Sequence, residues 1–293
     1  MTPEEAAREV RRIEITTRHL VRDIVAGEYS SAFRGRGVEF AEVREYQPGD
    51  DIRTIDWNVT ARLGSAYVKR YLEERELSVL FVVDLSASGG FGSLVRTKGD
   101  LGAEVAAVLA LAAARNNDRV GAMFFTDRVE HHLLPAKGRR HVLRMISDLL
   151  AFQPAGSGTD LAGALDELES TLRRRAIIFI LSDFLTAGHE TVLARLARRH
   201  DVVALQLIDP RERTLPAAGL VTLWDPETDR WRRVDTDDPA VRAFFAQRAE
   251  AFDRSLERSL RERNADLLRL ETSRPYAEPL LTFFRRRERM LWR

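Results

Sequence analysis

No cysteine occurs among the 293 residues, which excludes disulfides, thiolate zinc sites, iron–sulfur clusters and cysteine nucleophiles. The absence suits the cytoplasm, which is the expected location. No apolar run approaches the roughly 18 residues a transmembrane helix needs, so no membrane span is expected. The first residues carry Glu4, Glu5 and Glu9 where a secretion signal would be basic and then apolar. The net charge is only +1, so no global field points to nucleic acid or an anionic membrane, and no nucleic-acid partner is expected. Lysine is scarce too: Lys69, Lys98 and Lys137 stand against 43 arginines. A skew of that size is read as genomic base composition before any special use of guanidinium groups.

What is present suffices for a large core, with 44% hydrophobic and 31% charged residues. Val10, Ile13, Leu20, Val21, Ile24 and Val25 recur at helical spacing, predicting an amphipathic helix from Pro3 to Ala26. Residues 30–75 mix glycine and β-formers around the Pro48-Gly49-Asp50-Asp51 turn and predict a small β-containing extension. The expected division is therefore 1–75, helix plus extension, and 76–293, the main domain. In the main domain apolar strands are expected at 77–83, 120–125, 129–134, 176–181, 202–208 and 266–270. Helices are expected between them, with a loop or hairpin carrying Trp224 and Trp231. Near-continuous apolar strands alternating with helices predict a doubly wound α/β fold, a mostly parallel sheet with helices on both faces.

In such a sheet ligands bind beyond the carboxyl ends of the strands, where the strand order reverses. The first strand leads into Asp84-Leu85-Ser86-Ala87-Ser88, and the 176–181 strand into Ser182-Asp183-Phe184. Between them Gly156-Ser157-Gly158 delivers Thr159 and Asp160 to a helix start. In the common order 3-2-1-4-5-6 the strands that end at Asp84 and Asp183 are neighbours. Asp84, Ser86, Ser88, Thr159 and Asp183 then make an all-oxygen set, suited to Mg²⁺, Mn²⁺ or Ca²⁺ and not to zinc. Two carboxylates only balance a divalent charge, so an open coordination position would favour an incoming carboxylate. Two close carboxylates also disfavour each other's ionised forms, so removing either is expected not to destabilise the metal-free protein.

These five residues resemble the metal-ion-dependent adhesion site of von Willebrand factor A-like domains. Asp84, Ser86 and Ser88 match the Asp-x-Ser-x-Ser motif, Thr159 the threonine and Asp183 the distal aspartate. The resemblance implies that the three hydroxyls touch the metal and the aspartates bind it partly through water. A second resemblance is carried by Phe33 to Phe40, Tyr46 to Trp57, Val68 to Tyr71 with Glu73 to Arg75, and Leu280 to Arg287. These segments are similar to the bacterial family known as domain of unknown function 58, a set of von Willebrand A-like proteins. Relatives are often encoded beside MoxR-type AAA+ ATPases, which implies such an ATPase as partner.

The function expected is a metal-dependent protein-binding module, not an enzyme. It captures an Asp or Glu of a MoxR-type ATPase in assembly or chaperone-like activity. The alternative is a Mg²⁺-dependent, phosphatase-like hydrolase. No second aspartate follows Asp84 by two residues, and no phosphate-holding lysine or general base is expected nearby. Simpler roles are expected for the remaining candidates. Asp160 caps its own helix, the Gly89-Gly90-Phe91-Gly92 run is a flexible turn, and Asp50, Asp51, Arg53 and Asp56 serve ion pairs and turn capping. Arg285-Arg286-Arg287 is read as a solvated helix face.

Overall fold

A computed structural model of the chain describes residues 2–25, 38–48, 50, 51, 55–73, 77–94, 96–225 and 229–291. Two compact units are present: residues 34–76 form one, and residues 1–33 with 77–293 form the other. The N-terminal helix, expected with the extension, falls in the larger unit because Val10, Ile13, Val21 and Ile24 are buried in the core of the main sheet.

The helix itself is broken. α1 (Pro3–Thr16) ends at Thr17, whose hydroxyl donates to the Ile13 carbonyl at 2.6 Å, and α2 (Arg18–Asp23) follows. A threonine that bonds back to the preceding turn bends a helix in this way. The smaller unit holds an antiparallel pair, β1 (Val38–Glu45) and β2 (Tyr67–Glu73), with α3 (Trp57–Leu63) between them in sequence. Asp56 caps α3 through the amides of Asn58 and Val59, and Arg44 grips Asp50 with two bonds of 2.8 and 2.7 Å. Turn capping and ion pairing are thus what these carboxylates do; Arg53 and Phe33 to Gly37 lie outside the described residues.

The larger unit is built on β3 (Ser78–Asp84), β4 (Arg119–Phe125), β5 (Val129–Ala136), β6 (Ile177–Ser182), β7 (Asp201–Ile208) and β10 (Asp266–Glu271). Their order across the sheet is β10-β7-β6-β3-β4-β5, which is 3-2-1-4-5-6 counted along the chain. All neighbours are parallel except the edge strand β5, antiparallel to β4. The connecting helices are α4 (Lys98–Arg115), α5 (Arg139–Ala151), α6 (Leu161–Thr171) and α7 (Glu190–Arg199). β8 (Leu220–Asp225) and β9 (Arg230–Asp235) form a separate hairpin, on which Trp224 and Trp231 stack at 5.7 Å. α8 (Pro239–Glu262) and α9 (Ala277–Leu291) flank β10.

Alternation along β3 divides the core. Val79, Phe81 and Val83 face α1, α2, α4, α5 and α9, while Leu80 and Val82 face α6, α7 and α8. Both faces are covered, so β3 and β6 are apolar at nearly every position until their last residues. The doubly wound class follows directly from that pattern.

The arginine run on α9 departs from the expected solvated face. Arg285 and Arg286 are exposed, but Arg287 is 8% exposed and pairs with Asp201 at 2.6 Å and Asp266 at 2.9 Å, joining α9 to the first residues of β7 and β10. Arg287→Met is expected to lower stability by about 2 kcal/mol, below the usual cost of breaking a buried pair because both aspartates keep some water. Arg286→Met should change it by less than about 0.5 kcal/mol. Urea denaturation of the two variants measures the difference; equal losses would show that Arg287 does no more than its exposed neighbour.

Candidate functional site

Because β3 and β6 are adjacent and parallel, their last residues meet at the same rim, where the strand order reverses. Asp84 ends β3. Its Oδ1 accepts the Ser86 amide at 3.0 Å, and its Oδ2 accepts the Ser182 hydroxyl at 2.6 Å. The Ser86 and Ser88 hydroxyls lie 3.1 Å apart, and Ser88 donates to Asp183 Oδ2 at 2.9 Å. The two acidic strand ends are therefore joined into one hydrogen-bonded group, as the sequence predicts for Asp84, Ser86, Ser88 and Asp183.

Asp183 is aimed by a strained turn. Phe184 follows it with φ 60°, a conformation costly for a bulky side chain, and is held there because it is fully buried. The Leu185 amide then reaches Asp183 Oδ1 at 3.0 Å. The Gly156–Asp160 loop is tied to both acidic loops: Ala87 donates to the Ser157 carbonyl at 2.9 Å and the Thr186 hydroxyl to the Thr159 carbonyl at 3.4 Å. Thr159 is half-buried on this loop, beside the rim. Asp160 caps α6 through the Gly163 amide, as expected. An open hollow of about 380 Å³ lies over Asp84 and Ser86.

Charge at the site is arranged unequally. Burial, and then the like charge of Asp183, push the Asp84 carboxyl up to about 6 against the hydrogen bonds of Ser182 and Ser86. Asp183, by contrast, has a cation beside it. Lys98, 1% exposed, places its ammonium 2.7 Å from Asp183 Oδ2 and against Glu212 Oε1. Burial would lower the Lys98 pKa, but the charges of Asp183 and Glu212 outweigh it and hold the ammonium above its ordinary value. Burial in turn raises the Glu212 carboxyl above its own.

The expectation of no lysine near the motif is thus overturned. Lys98 is the first residue of α4, in the turn where the helix dipole disfavours a cation. The carboxylates hold it there, 85 and 114 residues away in sequence. Sequence reasoning missed Lys98, Glu212 and Ser182. No local signal could have found them: Lys98 shares its rarity with Lys69 and Lys137, and its carboxylate partners lie far away in sequence.

Glu212 and its neighbour Asp209 anchor the surrounding loops. Asp209 is fully buried and accepts the Ser93 hydroxyl (2.6 Å), the Ser93 and Arg211 amides (2.9 Å each) and the Thr272 hydroxyl (2.7 Å). Burial pushes this carboxyl up, but the donors together hold it below the usual carboxylate range. The loop from Ser88 to Lys98 is therefore pinned to the ends of β7 and β10.

The donor chemistry suits a hard divalent cation. Every donor of the motif is oxygen, and the Asp84 carboxylate is held in place at the rim by the Ser86 amide and the Ser182 hydroxyl. Among the described residues no group of three His, Cys, Asp or Glu is arranged to hold a metal, so such a site would rest on hydroxyls as well as carboxylates.

Comparison with known proteins gives the family. The model of the family described as protein of unknown function DUF58 matches residues 42–254. The uncharacterized proteins Mb1516 of Mycobacterium bovis and Rv1480 of Mycobacterium tuberculosis are each 35% identical over 283 residues, covering 96% of this chain and 89% of theirs. Among solved structures, the chain is similar to the conserved hypothetical protein BatB from Bacteroides thetaiotaomicron. The identity is 12% and the TM-score 0.47, with 73% of this chain and 99% of that one covered. It is also similar to the SpRpn10 VWA domain, with 11% identity and a TM-score of 0.36 over 71% of this chain and 94% of that one. Matched over most of its length by the family model and by these mycobacterial relatives, the chain belongs to the DUF58 family.

Proposed function

We propose that the protein is a binding module that captures a partner's carboxylate through a divalent cation. Mg²⁺ is the first choice and Mn²⁺ or Ca²⁺ the alternatives, held by Asp84, Ser86, Ser88, Thr159 and Asp183. The observation that carries this reading is the joining of Asp84, Ser86, Ser88 and Asp183 into one hydrogen-bonded group at the switch point of the sheet. When bound, the ion supplies an electrophilic position for a carboxylate oxygen. The two carboxylates and three hydroxyls would hold it, and a partner's carboxylate would complete its shell. A MoxR-type AAA+ ATPase in the cytoplasm is the partner proposed, in assembly or chaperone-like work. Catalysis is not part of this reading. Lys98, the one lysine beside the motif, is already engaged by two carboxylates and does not stand ready to hold phosphate.

Mg²⁺ at about 100 times its Kd should stabilise the protein by about 2.7 kcal/mol, and a Ser86→Ala/Ser88→Ala variant should lose that response. Thermal-shift titration reads this. A response to zinc or nickel alone, or an unchanged response in the double variant, would remove the all-oxygen site. Binding to a purified MoxR-type ATPase should be abolished by chelator, and one Asp or Glu of the ATPase should dominate its metal-dependent part in an alanine scan. An affinity indifferent to chelator would refute carboxylate capture.

A further inference from the structure

Lys98 sets an unusual condition on the site just described. Asp183 Oδ2 already receives two donors, the Ser88 hydroxyl at 2.9 Å and the Lys98 ammonium at 2.7 Å. A metal drawing on Asp183 therefore meets a fixed positive charge on the same carboxylate oxygen, in a place with little water to screen it. The ammonium has a second station as well. Glu212 Oε1 touches it, and Glu212 is fixed by its other oxygen, Oε2, which accepts the Asp209 amide at 3.0 Å. Asp209 in turn is pinned by Ser93, Arg211 and Thr272. An ammonium carries three donors on a four-carbon stem, so it can shift its weight from one carboxylate to the other without leaving its pocket.

We propose that Lys98 is an intramolecular counter-cation of the site: it holds Asp183 in the metal-free protein, and a divalent ion gains that carboxylate by displacing the ammonium towards Glu212. The lysine is a positioning residue that acts through Asp183, and it sets how much free metal is needed for occupation. The proposal rests on the metal-binding reading. It also accounts for a lysine at the start of α4, a position that helix electrostatics disfavours and that the arginine-rich composition makes rare. Glu212 has its own place in the device, since it receives the displaced charge.

Isothermal titration with Mg²⁺ tests the idea on the full chain. Lys98→Met, close in length and uncharged, should bind Mg²⁺ at least about tenfold more tightly than the wild type. Glu212→Gln, which removes the second station, should bind it about tenfold more weakly. Because Glu212 acts through the lysine, Glu212→Gln should add little in the Lys98→Met background, whereas a mere loss of nearby negative charge would weaken binding equally in both. A measurement on the wild-type protein does not depend on any variant folding. With lysine labelled at its side-chain nitrogen only three ammonium signals arise, and the Lys98 signal should move saturably with Mg²⁺ while that of Lys137 stays still. Mg²⁺ binding by the wild type with an unmoved Lys98 signal, or with unchanged affinity in Lys98→Met, would overturn the counter-cation and leave the metal site standing. No Mg²⁺ binding by either wild type or Lys98→Met would overturn both. Binding by Lys98→Met alone would show that the ammonium is not displaced, and would overturn the counter-cation exchange together with metal use by the natural protein.

Discussion

Asp183→Asn should lower the stability of the metal-free protein by about 3 kcal/mol at pH 7. Lys98, with a side chain 2% exposed, has two anionic partners among the described residues, and the substitution leaves it with Glu212. Breaking a buried pair from one side costs about 3–5 kcal/mol because the remaining charge cannot recover its water. The surviving contact to Glu212 and the amide oxygen of the new asparagine place the loss at the lower end. Denaturant melts in chelator measure it. A variant as stable as the wild type would show that Asp183 does not neutralise Lys98, and would remove the charge arrangement on which the site is built.

The opposite sign is expected at the other aspartate. Asp84→Asn should raise the stability of the metal-free protein at pH 7 by about 2–3 kcal/mol, because Asp84 is buried beside Asp183 and no cation among the described residues pairs with it. The direction in pH follows from its carboxyl lying at about 6 in the folded protein, above the roughly 3.9 of an unfolded chain. Below pH ~4 the group is protonated in both states and costs nothing. Between pH 4 and 6 the folded state keeps a proton that the unfolded state loses, so stability falls as pH rises. The full penalty is present above pH 6. The buried His189 and His200 and the half-buried His132, which desolvation holds below their ordinary values, run the other way, gaining stability as pH rises towards neutrality. They are common to both proteins and cancel in the difference. The gain of Asp84→Asn over wild type should therefore vanish near pH 4 and reach its plateau above pH 6. A gain independent of pH, or a loss at pH 7, would mean that Asp84 serves the fold as an ionised cap. Saturating Mg²⁺ should erase the advantage, since the ion stabilises the wild-type carboxylate and leaves the amide untouched.

Taken together the two variants separate residues that one motif makes look alike. The sequence pairs Asp84 with Asp183 and expects each to be relieved by removal of the other's charge. That argument should hold for Asp84 and fail for Asp183, because a lysine from a different segment lies against Asp183. The same kind of omission affects the arginine run of α9. Spacing on a helix marks Arg287 as one more exposed charge, and only the approach of α9 to the starts of β7 and β10 turns it into a buried clamp.

The sequence by itself determined the sheet. β3 and β6 are apolar at almost every position because both of their faces are covered, and such runs are visible without coordinates. Their order is the common one for such folds, which right-handed parallel crossovers narrow to a few alternatives and the structure settles. Once the order is known, Asp84, Ser86, Ser88 and Asp183 must meet, since a strand's last residue has a defined place at the rim. The tertiary structure alone decided the charges behind them. Lys98 reaches Asp183 because α4 starts beneath the Ser88 loop, and Glu212 reaches Lys98 because Asp209 locks the turn after β7. Contacts of this kind are single side-chain pairs between distant segments. They have no period and no local spacing, so nothing in the linear pattern distinguishes the lysine that neutralises a site from one that is solvated.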